Sequence, residues 1–419
     1  MRDKRAAGRL RALVKGLHVT NPPPRRLDIR SLHPQSRAVH AGTERSQFGE
    51  TSEALFLTQG YVYPDAATCA ARFEGNDPGY IYSRFSNPTV SMLEKRIAAL
   101  EGAESARATA TGMAAVTTAL MGLVAAGDHV VSASRLFGSC RYVVEEFLPR
   151  FGVASTLVDG ADLDAWRRAL RPDTKAFFLE SPTNPTLDVY DIAAIAAIAR
   201  EAGIKFIVDN VFATPLLQSP LQLGADVVVY SATKHIDGQG RCLGGLIVTS
   251  DKIIQDHYHT ILRQTGPAIS PFNAWVMLKG LETLSVRVER QTANAAGLAD
   301  RLAHHDKIKR ILYPYRADHP QYELARRQMR AGGTLVGLEL KGGRAEAFRF
   351  LDALNLIAIS NNLGDAKSLI THPSTTTHQR FTASARQEMG ISEAYVRLSV
   401  GLEHVDDLFA DIDGALGAA

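Results

Sequence analysis

A lysine near the middle of the chain lies where a solvated lysine is not expected. Lys234 belongs to VVVYSATKHIDGQG (residues 227–240), where it follows an apolar run that predicts a buried strand. Ser231 and Thr233 add two hydroxyl groups, and a glycine-rich turn follows. One strand–helix unit earlier, the apolar run KFIVDN ends with Asp209 and an asparagine. A buried amine close to a buried carboxylate forms either a structural ion pair or a reactive pair, because burial lowers the pKa of a lysine and makes it a better nucleophile.

The lysine and the aspartate also match the chemical needs of pyridoxal phosphate. Its aldehyde carbon bonds to a lysine amine, and its pyridine nitrogen needs a carboxylate that keeps it protonated. The phosphate group requires a separate anion site. In ATATGMAAVTTAL (residues 108–120), Gly112 begins a predicted helix whose free N–H groups and positive dipole end favour an anion. An ordinary helix cap formed by Thr109 or Thr111 would explain the same residues without a ligand.

Several other residues carry groups that could bind an anion or a flat ring. Tyr82 and Arg84 lie in the non-periodic stretch YIYSRFSNPTV, where the arginine is either a bidentate phosphate ligand or a solvated loop residue. Phe137 follows the predicted strand HVVSAS and could stack on a ring or fill the core. Arg397 lies inside the apolar strand AYVRLSVG, so its partner is expected to be a carboxylate side chain or a substrate carboxylate.

Most of these residues follow predicted strands in one regular region of the chain. From about residue 90 onward, short apolar runs alternate with helical stretches such as DIAAIAAIAREAG. This alternation predicts an α/β fold with a mostly parallel sheet, and such sheets bind ligands beyond the carboxyl ends of their strands. After about residue 280, a long helical stretch and strands such as GTLVGLELKG predict a smaller α+β domain. Residues 50–90 lack periodicity and predict an extended segment.

The composition is typical of a soluble globular protein. Of the 419 residues, 45% are hydrophobic and 22% are charged, and a formal net charge of +3 indicates no nucleic-acid partner. Three scattered cysteines fit neither a disulfide framework nor a metal site and favour a cytoplasmic location. No run of about 18 apolar residues occurs, so no membrane span is expected. The basic segment 1–36 predicts a disordered arm, a start assigned too far upstream or an Arg-rich targeting peptide.

Six strings in the sequence together resemble one enzyme family. They are YSRFSNPT, TGMAA, ESPTNPT, VDNVFATP, SATKHIDGQGRCLGG and VRLSVGLEHVDDL, in this order along the chain. The set resembles the Cys/Met-metabolism family of pyridoxal-phosphate enzymes. The resemblance implies fold type I, with an N-terminal arm (37–86), a large cofactor domain (87–278) and a smaller C-terminal domain (279–419). The basic extension (1–36) has no counterpart in the family.

The resemblance also implies roles around the cofactor ring and the substrate. Lys234 would be the catalytic residue that forms the Schiff base with the cofactor, and Asp209 would contact the pyridine nitrogen. Phe137 would stack on the ring, and Asn184, in the loop of ESPTNPT, would contact the ring oxygen. Arg397 would bind the α-carboxylate of the substrate.

The phosphate site implied by the resemblance is shared between two subunits. Its residues would be Gly112, Met113, Ser231, Thr233, Tyr82 and Arg84. The tyrosine and the arginine would reach the phosphate of the neighbouring subunit, and Tyr82 would also contact the substrate. A homodimer with shared active sites is therefore expected, and family members are usually tetramers built from two such dimers.

Two features depart from the lyases of the family. Most lyases and cystathionine synthases carry a tyrosine at the position of Phe137, which keeps the ring but lacks the hydroxyl group. The turn GQGRCLGG also differs, and with NNLGDAKSLITHPSTTTH it resembles the O-succinylhomoserine sulfhydrylase branch. The expected reaction is γ-replacement on O-succinylhomoserine by sulfide, giving homocysteine and succinate in methionine biosynthesis. Arg241 would bind the succinyl carboxylate or would be a surface arginine.

Other functions stay open at this point. Cystathionine γ-synthase and methionine or cystathionine γ-lyase share the cofactor residues, and the acyl group and the sulfur donor are not determined by the sequence. A non-catalytic protein of the same fold is disfavoured because Lys234, Asp209 and Arg397 occur together. A nucleotide-binding protein is disfavoured because neither a Walker A string nor a G-x-G-x-x-G after a strand occurs.

Overall fold

The computed structural model describes residues 28–418, and two β-sheets organise this part of the chain. The first 27 residues, which make up most of the predicted basic extension, lie outside the described residues. The larger sheet has seven strands in the order β1-β7-β6-β5-β4-β2-β3. Its strands are β1 (Ser105–Thr109), β2 (His129–Ala133), β3 (Ala154–Val158), β4 (Thr174–Glu180), β5 (Lys205–Asp209), β6 (Val227–Ser231) and β7 (Gly245–Thr249).

This sheet is mostly parallel, as the sequence predicts. The exception is β7, which runs antiparallel to both of its neighbours, β1 and β6. The second sheet is smaller and has five strands in the order β10-β11-β12-β9-β8, of which only the β10–β11 pair is parallel. Its strands are β8 (Ile308–Leu312), β9 (Leu335–Leu340), β10 (Ala358–Ile359), β11 (Leu369–Thr371) and β12 (Tyr395–Ser399).

Helices connect the strands and cover the sheets. The helices of the N-terminal half are Pro34–His40, Ala66–Phe73, Pro88–Glu101, Gly112–Met121, Gly138–Tyr142, Leu163–Arg168, Ile192–Glu201 and Thr214–Leu217. Those of the C-terminal half are Asp251–Ile253, His259–Thr265, Pro271–Glu282, Leu284–Leu302, Tyr322–Gln328, Arg344–Ala353, Ala383–Glu388 and Val405–Ala418. In residues 28–418, no helix combines the length and the apolar character that a membrane span requires.

The helix Pro88–Glu101 shows how local sequence sets these elements. Asn87 caps its first turn by accepting from the Thr89 N–H at 2.9 Å, and Gly102 ends it with φ +76°. The string TVSMLEKRIAALEG spaces four apolar residues for one helical face, and all four are buried: Val90, Leu93, Ile97 and Leu100. The helical spacing in the sequence therefore gives the correct core face.

The segment 50–90 differs from its prediction at one place. A helix, Ala66–Phe73, forms within the stretch that was expected to be extended. Asp65 caps it by accepting from the Thr68 N–H at 2.7 Å, and alanines then favour the helix. None of its side chains is buried, so the cap and the alanines account for this helix and core packing does not.

The carboxyl ends of the central strands bring polar side chains to one edge of the larger sheet. Glu180 at the end of β4 pairs in register with Asp209 at the end of β5, and β6 ends at Ser231. The strand interiors behind them are apolar and fully buried, as at Phe178, Ile207 and Val229. An apolar sheet thus holds a set of polar groups that water reaches poorly.

Candidate active site

A cavity of about 230 Å³ lies at this edge of the larger sheet, between the ends of the parallel strands and the second domain. Residues from both parts of the chain line it, because Arg397 comes from β12 and Asn361 and Thr377 come from loops of the second domain, whereas most of the others come from the larger sheet and its connections. The predicted site residues in the lining are Gly112, Met113, Phe137, Asn184, Asp209, Ser231, Thr233, Lys234 and Arg397.

Lys234 is partly buried in the wall of the cavity. Burial is the main reason why the pKa of its amine falls from 10.5 to about 8, and the positive charge of Arg397 lowers this pKa further. Its Nζ donates a hydrogen bond to Oδ1 of Asn362, at 2.7 Å, and forms no ion pair within residues 28–418. A substantial fraction of the amine is therefore neutral near physiological pH and can act as a nucleophile or a base.

Two carboxyl groups lie side by side at the ends of β4 and β5. Burial raises the pKa of both Asp209 and Glu180, and the negative charge of Asp209 raises the pKa of Glu180 further. One oxygen of Asp209 accepts from the Val211 N–H at 3.1 Å, and one oxygen of Glu180 accepts from the Phe137 N–H at 2.8 Å. Such a pair favours a cationic partner, because a positive charge in the cavity would offset the cost of burying an anion.

The start of the helix Gly112–Met121 forms another wall of the cavity. Thr111 caps this helix by accepting from the Ala114 N–H at 3.0 Å, so the N–H groups of Gly112 and Met113 lack partners within the helix. A side chain at residue 112 would place its Cβ only 2.5 Å from Cβ of Ser231. Glycine is thus needed for this helix start to meet the end of β6.

Arg397 connects the second domain to the loop that follows β4. It is 1% exposed, and its Nη1 donates to Oδ1 of Asn184 at 2.8 Å. Its Nη2 donates to the backbone oxygen of Asn361 at 3.0 Å. Its Nε has no hydrogen-bond partner among the described residues, and it forms no ion pair with a carboxylate there. A buried guanidinium with these contacts keeps the capacity to bind an anion.

Three predicted site residues lie outside the lining of the cavity. Tyr82 is 39% exposed, and the Arg84 guanidinium lies 5.5 Å from the centroid of the Tyr82 ring and contacts the backbone oxygen of Arg263. Arg241 folds back onto Asp237, with Nε 2.9 Å from Oδ1 and Nη2 2.8 Å from the backbone oxygen. The roles of these three residues stay predictions.

Several lining residues were not predicted from the sequence. Glu180 is one of them, although the strand-end argument that singles out Asp209 applies equally to this residue at the end of β4. Asn361 and Thr377 come from loops of the second domain, within the string NNLGDAKSLITHPSTTTH, whose resemblance to one branch of the family assigned neither residue a role. Cys140 also lines it, with Sγ 3.9 Å from Sδ of Met113.

Comparison with known proteins places this cavity in a family. Residues 35–417 match the family described as Cys/Met metabolism PLP-dependent enzymes. The chain belongs to this family. Pyridoxal phosphate (PLP) is its cofactor, and the protein is an enzyme of this class. The resemblance seen in the sequence motifs is confirmed.

Similar proteins come from several branches of the family. An O-succinylhomoserine sulfhydrylase of Mycobacterium tuberculosis is 53% identical over 382 residues, which cover 90% of this chain and 94% of that protein. An L-methionine γ-lyase of Pseudomonas putida is 42% identical over 386 residues, covering 92% and 97%. A crystal structure from Campylobacter jejuni, described as an O-acetylhomoserine (thiol)-lyase, superposes with a TM-score of 0.89 at 33% identity, covering 92% and 100%. That structure contains N′-pyridoxyl-lysine-5′-monophosphate, and it supports fold type I for this chain.

The residues of the cavity fit pyridoxal phosphate. A partly neutral lysine can bond to the aldehyde, and a buried carboxylate can contact the protonated ring nitrogen. The first turn of the helix that begins at Gly112 offers free N–H groups to the phosphate. This turn lies so close to Ser231, at the end of β6, that only glycine fits at residue 112. The unpartnered Nε of Arg397 leaves a donor for the carboxylate of an amino acid. Each of these protein groups therefore has a matching group on the cofactor or the substrate.

Proposed function

We propose that this enzyme catalyses γ-replacement on O-succinylhomoserine by sulfide, which gives homocysteine and succinate in methionine biosynthesis. The observation that carries the proposal is the 53% identity to an O-succinylhomoserine sulfhydrylase over nearly the whole chain, against 42% to a methionine γ-lyase. The Phe137 ring, which lines the cavity, also supports the proposal. It lacks the hydroxyl group of the tyrosine that most lyases and cystathionine synthases of the family carry at this position, so it cannot transfer protons as that tyrosine could.

The residues of the cavity divide the work of this reaction. PLP supplies an electron sink next to the α-carbon of the substrate. Arg397 binds the α-carboxylate and so fixes which bonds of the substrate face the sink. Asp209 holds the proton on the ring nitrogen. The Lys234 amine, with its lowered pKa, removes the α-proton and later returns a proton to the substrate carbon.

Product analysis tests this proposal. The purified enzyme is incubated with O-succinyl-, O-acetyl- or O-phosphohomoserine, each with sulfide or with cysteine, and the products are separated. We expect homocysteine and succinate as the dominant products from the succinyl ester with sulfide. Cystathionine as the dominant product would instead indicate a cystathionine γ-synthase. Abundant α-ketobutyrate from methionine alone would indicate a γ-lyase.

Arg241 is proposed to help bind the succinyl carboxylate, which requires its side chain to leave Asp237 when substrate binds. The proposal predicts that Arg241→Ala raises KM for the succinyl ester about 5- to 30-fold, as expected for losing 1–2 kcal/mol of a charge-assisted hydrogen bond. KM for the acetyl ester should not change. An unchanged KM for the succinyl ester would contradict this role, and the contact with Asp237 in the turn would then be the role of Arg241.

We also propose that the enzyme is a cytoplasmic homodimer or a tetramer of two dimers, with Tyr82 and Arg84 serving the phosphate site of the neighbouring subunit. The exposure of Tyr82 and the lack of an acidic partner for Arg84 within residues 28–418 support this. The cytoplasmic location is supported by the three cysteines, all of which are free, because the cytoplasm keeps thiols reduced. Unfolding and refolding a mixture of inactive Lys234→Ala and Arg84→Ala chains should restore about a quarter of the wild-type activity, because half of the dimers gain one intact site. A mixture that stays inactive would contradict the shared site.

A further inference from the structure

The amine of Lys234 has a partner in a loop of the second domain. Its Nζ donates to the side-chain oxygen of Asn362 at 2.7 Å, so a neutral amide fixes where the amine lies. Asn362 was not predicted to have any role, and it belongs to the segment 360–364 that follows the short strand β10. We infer that Asn362 is a positioning residue, which holds the Lys234 amine toward the cavity whenever that amine is not bonded to the cofactor.

The loop that carries Asn362 is firmly fixed. The Gly364 N–H donates to Oγ of Ser399 at 2.9 Å, and Leu363 is 4% exposed. Gly364 has φ +71°, and a Cβ there would lie 2.7 Å from the backbone nitrogen of His235. The loop therefore packs directly against the residue that follows Lys234. Because this loop is held in place by these contacts, the Asn362 side chain is pre-organised to accept the hydrogen bond from the amine.

The same loop also holds the guanidinium of Arg397. Nη2 of Arg397 donates to the backbone oxygen of Asn361 at 3.0 Å and to that of Asn362 at 3.3 Å. The amine that is proposed to move the α-proton and the group that is proposed to bind the α-carboxylate thus share one short support. Asn362 sets the position of Lys234 relative to the bound amino acid, and this determines how directly the amine faces the α-proton.

An amide suits this position because it orients the amine without adding charge. The charged or titratable groups that line the cavity with the amine are Arg397 from β12, Asp209 from β5, Glu180 from β4 and Cys140, and His235 follows Lys234 in the chain. A carboxylate in place of the amide would lie within hydrogen-bond distance of Nζ and favour the ammonium form. The ammonium has no lone pair, so it could neither attack the aldehyde nor accept a proton.

Cofactor uptake by the apoenzyme tests this without any substrate. The neutral Lys234 amine adds to the aldehyde carbon of PLP and water leaves, so the rate at which the visible absorbance band appears reports how much amine is neutral and well placed. Two variants are compared, Asn362→Asp and Asn362→Leu, because the aspartate and leucine side chains have nearly the shape of the asparagine side chain. The matched controls are Asn355→Asp and Asn355→Leu, because Asn355 is exposed and, within residues 28–418, its side chain bonds only to the backbone oxygen of Ala353.

The two substitutions should act differently. For the wild type, the rate should rise with pH around a midpoint near the amine pKa of about 8. Asn362→Asp should move this midpoint up by about 1 to 3 pH units. Asn362→Leu should slow uptake about tenfold, because one hydrogen bond that aims the amine is lost. Both Asn355 variants should behave as the wild type.

Pyridoxamine phosphate, which has no aldehyde, separates positioning from damage to the site. Its affinity should be unchanged in both Asn362 variants. The inference is wrong if both variants keep the wild-type rate and midpoint, or if their affinity for pyridoxamine phosphate falls by the same factor as the rate. If Asn362→Leu does not fold, the midpoint of Asn362→Asp decides alone. The inference rests on Lys234 being the cofactor lysine, and a Lys234→Ala apoenzyme that still formed the visible band would refute that assignment instead.

Discussion

Replacing Lys234 by methionine should stabilise the apoenzyme while abolishing its activity. The fold lowers the pKa of the Lys234 amine from 10.5 to about 8, chiefly because burial disfavours the ammonium form. Below about pH 8 the amine is charged in both the folded and the unfolded chain, and the folded state bears the full cost of burying the charge. That cost is about 3 kcal/mol, since each unit of pKa shift corresponds to about 1.4 kcal/mol. Methionine has a similar length and no charge, so it removes this cost.

The pH dependence gives the prediction its sign. Between about pH 8 and pH 10.5 the unfolded chain binds more protons than the folded chain, so the free energy of unfolding of the wild type should rise with pH across this window. The advantage of Lys234→Met should therefore be about 3 kcal/mol at pH 7 and less than about 1 kcal/mol at pH 10.

Urea unfolding of the two apoenzymes at pH 7 and pH 10 measures this difference. Lys341→Met is the matched control, because Lys341 is exposed and forms no ion pair among the described residues. The control should change stability by no more than about 0.5 kcal/mol at either pH. A Lys234→Met variant that is no more stable than the wild type at pH 7, or that gains equally at both pH values, would refute the assignment of a desolvated amine.

Three other substitutions probe the rest of the cavity. Gly112→Ala would place a Cβ 2.5 Å from Cβ of Ser231, so it should cost about 1–3 kcal/mol of apoenzyme stability in urea and weaken PLP binding in a fluorescence titration. Asp209→Asn should lower kcat roughly 100-fold, because the ring nitrogen loses its carboxylate partner. Since burial raises the pKa of Asp209, the folded chain bears the cost of its charge only above that pKa, and the same variant should be more stable than the wild type at pH 9 but not at pH 4. Arg397→Lys should raise KM for the amino-acid substrate about tenfold or more while the absorbance of bound PLP stays unchanged, because lysine cannot form the bidentate contact with a carboxylate.

The sequence was most informative where apolar runs end in polar residues. The ends of β5 and β6 put Asp209, Ser231 and the following Lys234 at one edge of a parallel sheet, and all three line the same cavity in the structure. Arg397 could be singled out because a guanidinium inside an apolar strand needs a partner. These inferences work because strand periodicity and burial act locally along the chain.

Contacts between the two domains could not be predicted in this way. Asn362 reaches Lys234 from a loop more than a hundred residues away, and its neighbours show no periodicity that would indicate a buried contact. The same limit applies to the turn contact between Arg241 and Asp237, since an arginine in a glycine-rich turn can point either way. Only the packing of the second sheet against the first decides which loop faces the cavity.

Locating the cofactor on the chain tests the central claim most directly. Borohydride reduction of the purified holoenzyme makes the bond between PLP and its lysine permanent, and mass spectrometry of the proteolytic peptides then finds the modified residue. We predict one pyridoxyl-modified peptide, with the modification on Lys234, and its loss in Lys234→Ala. A modification on another lysine, or one that persists in Lys234→Ala, would contradict the assignment of this cavity as the active site.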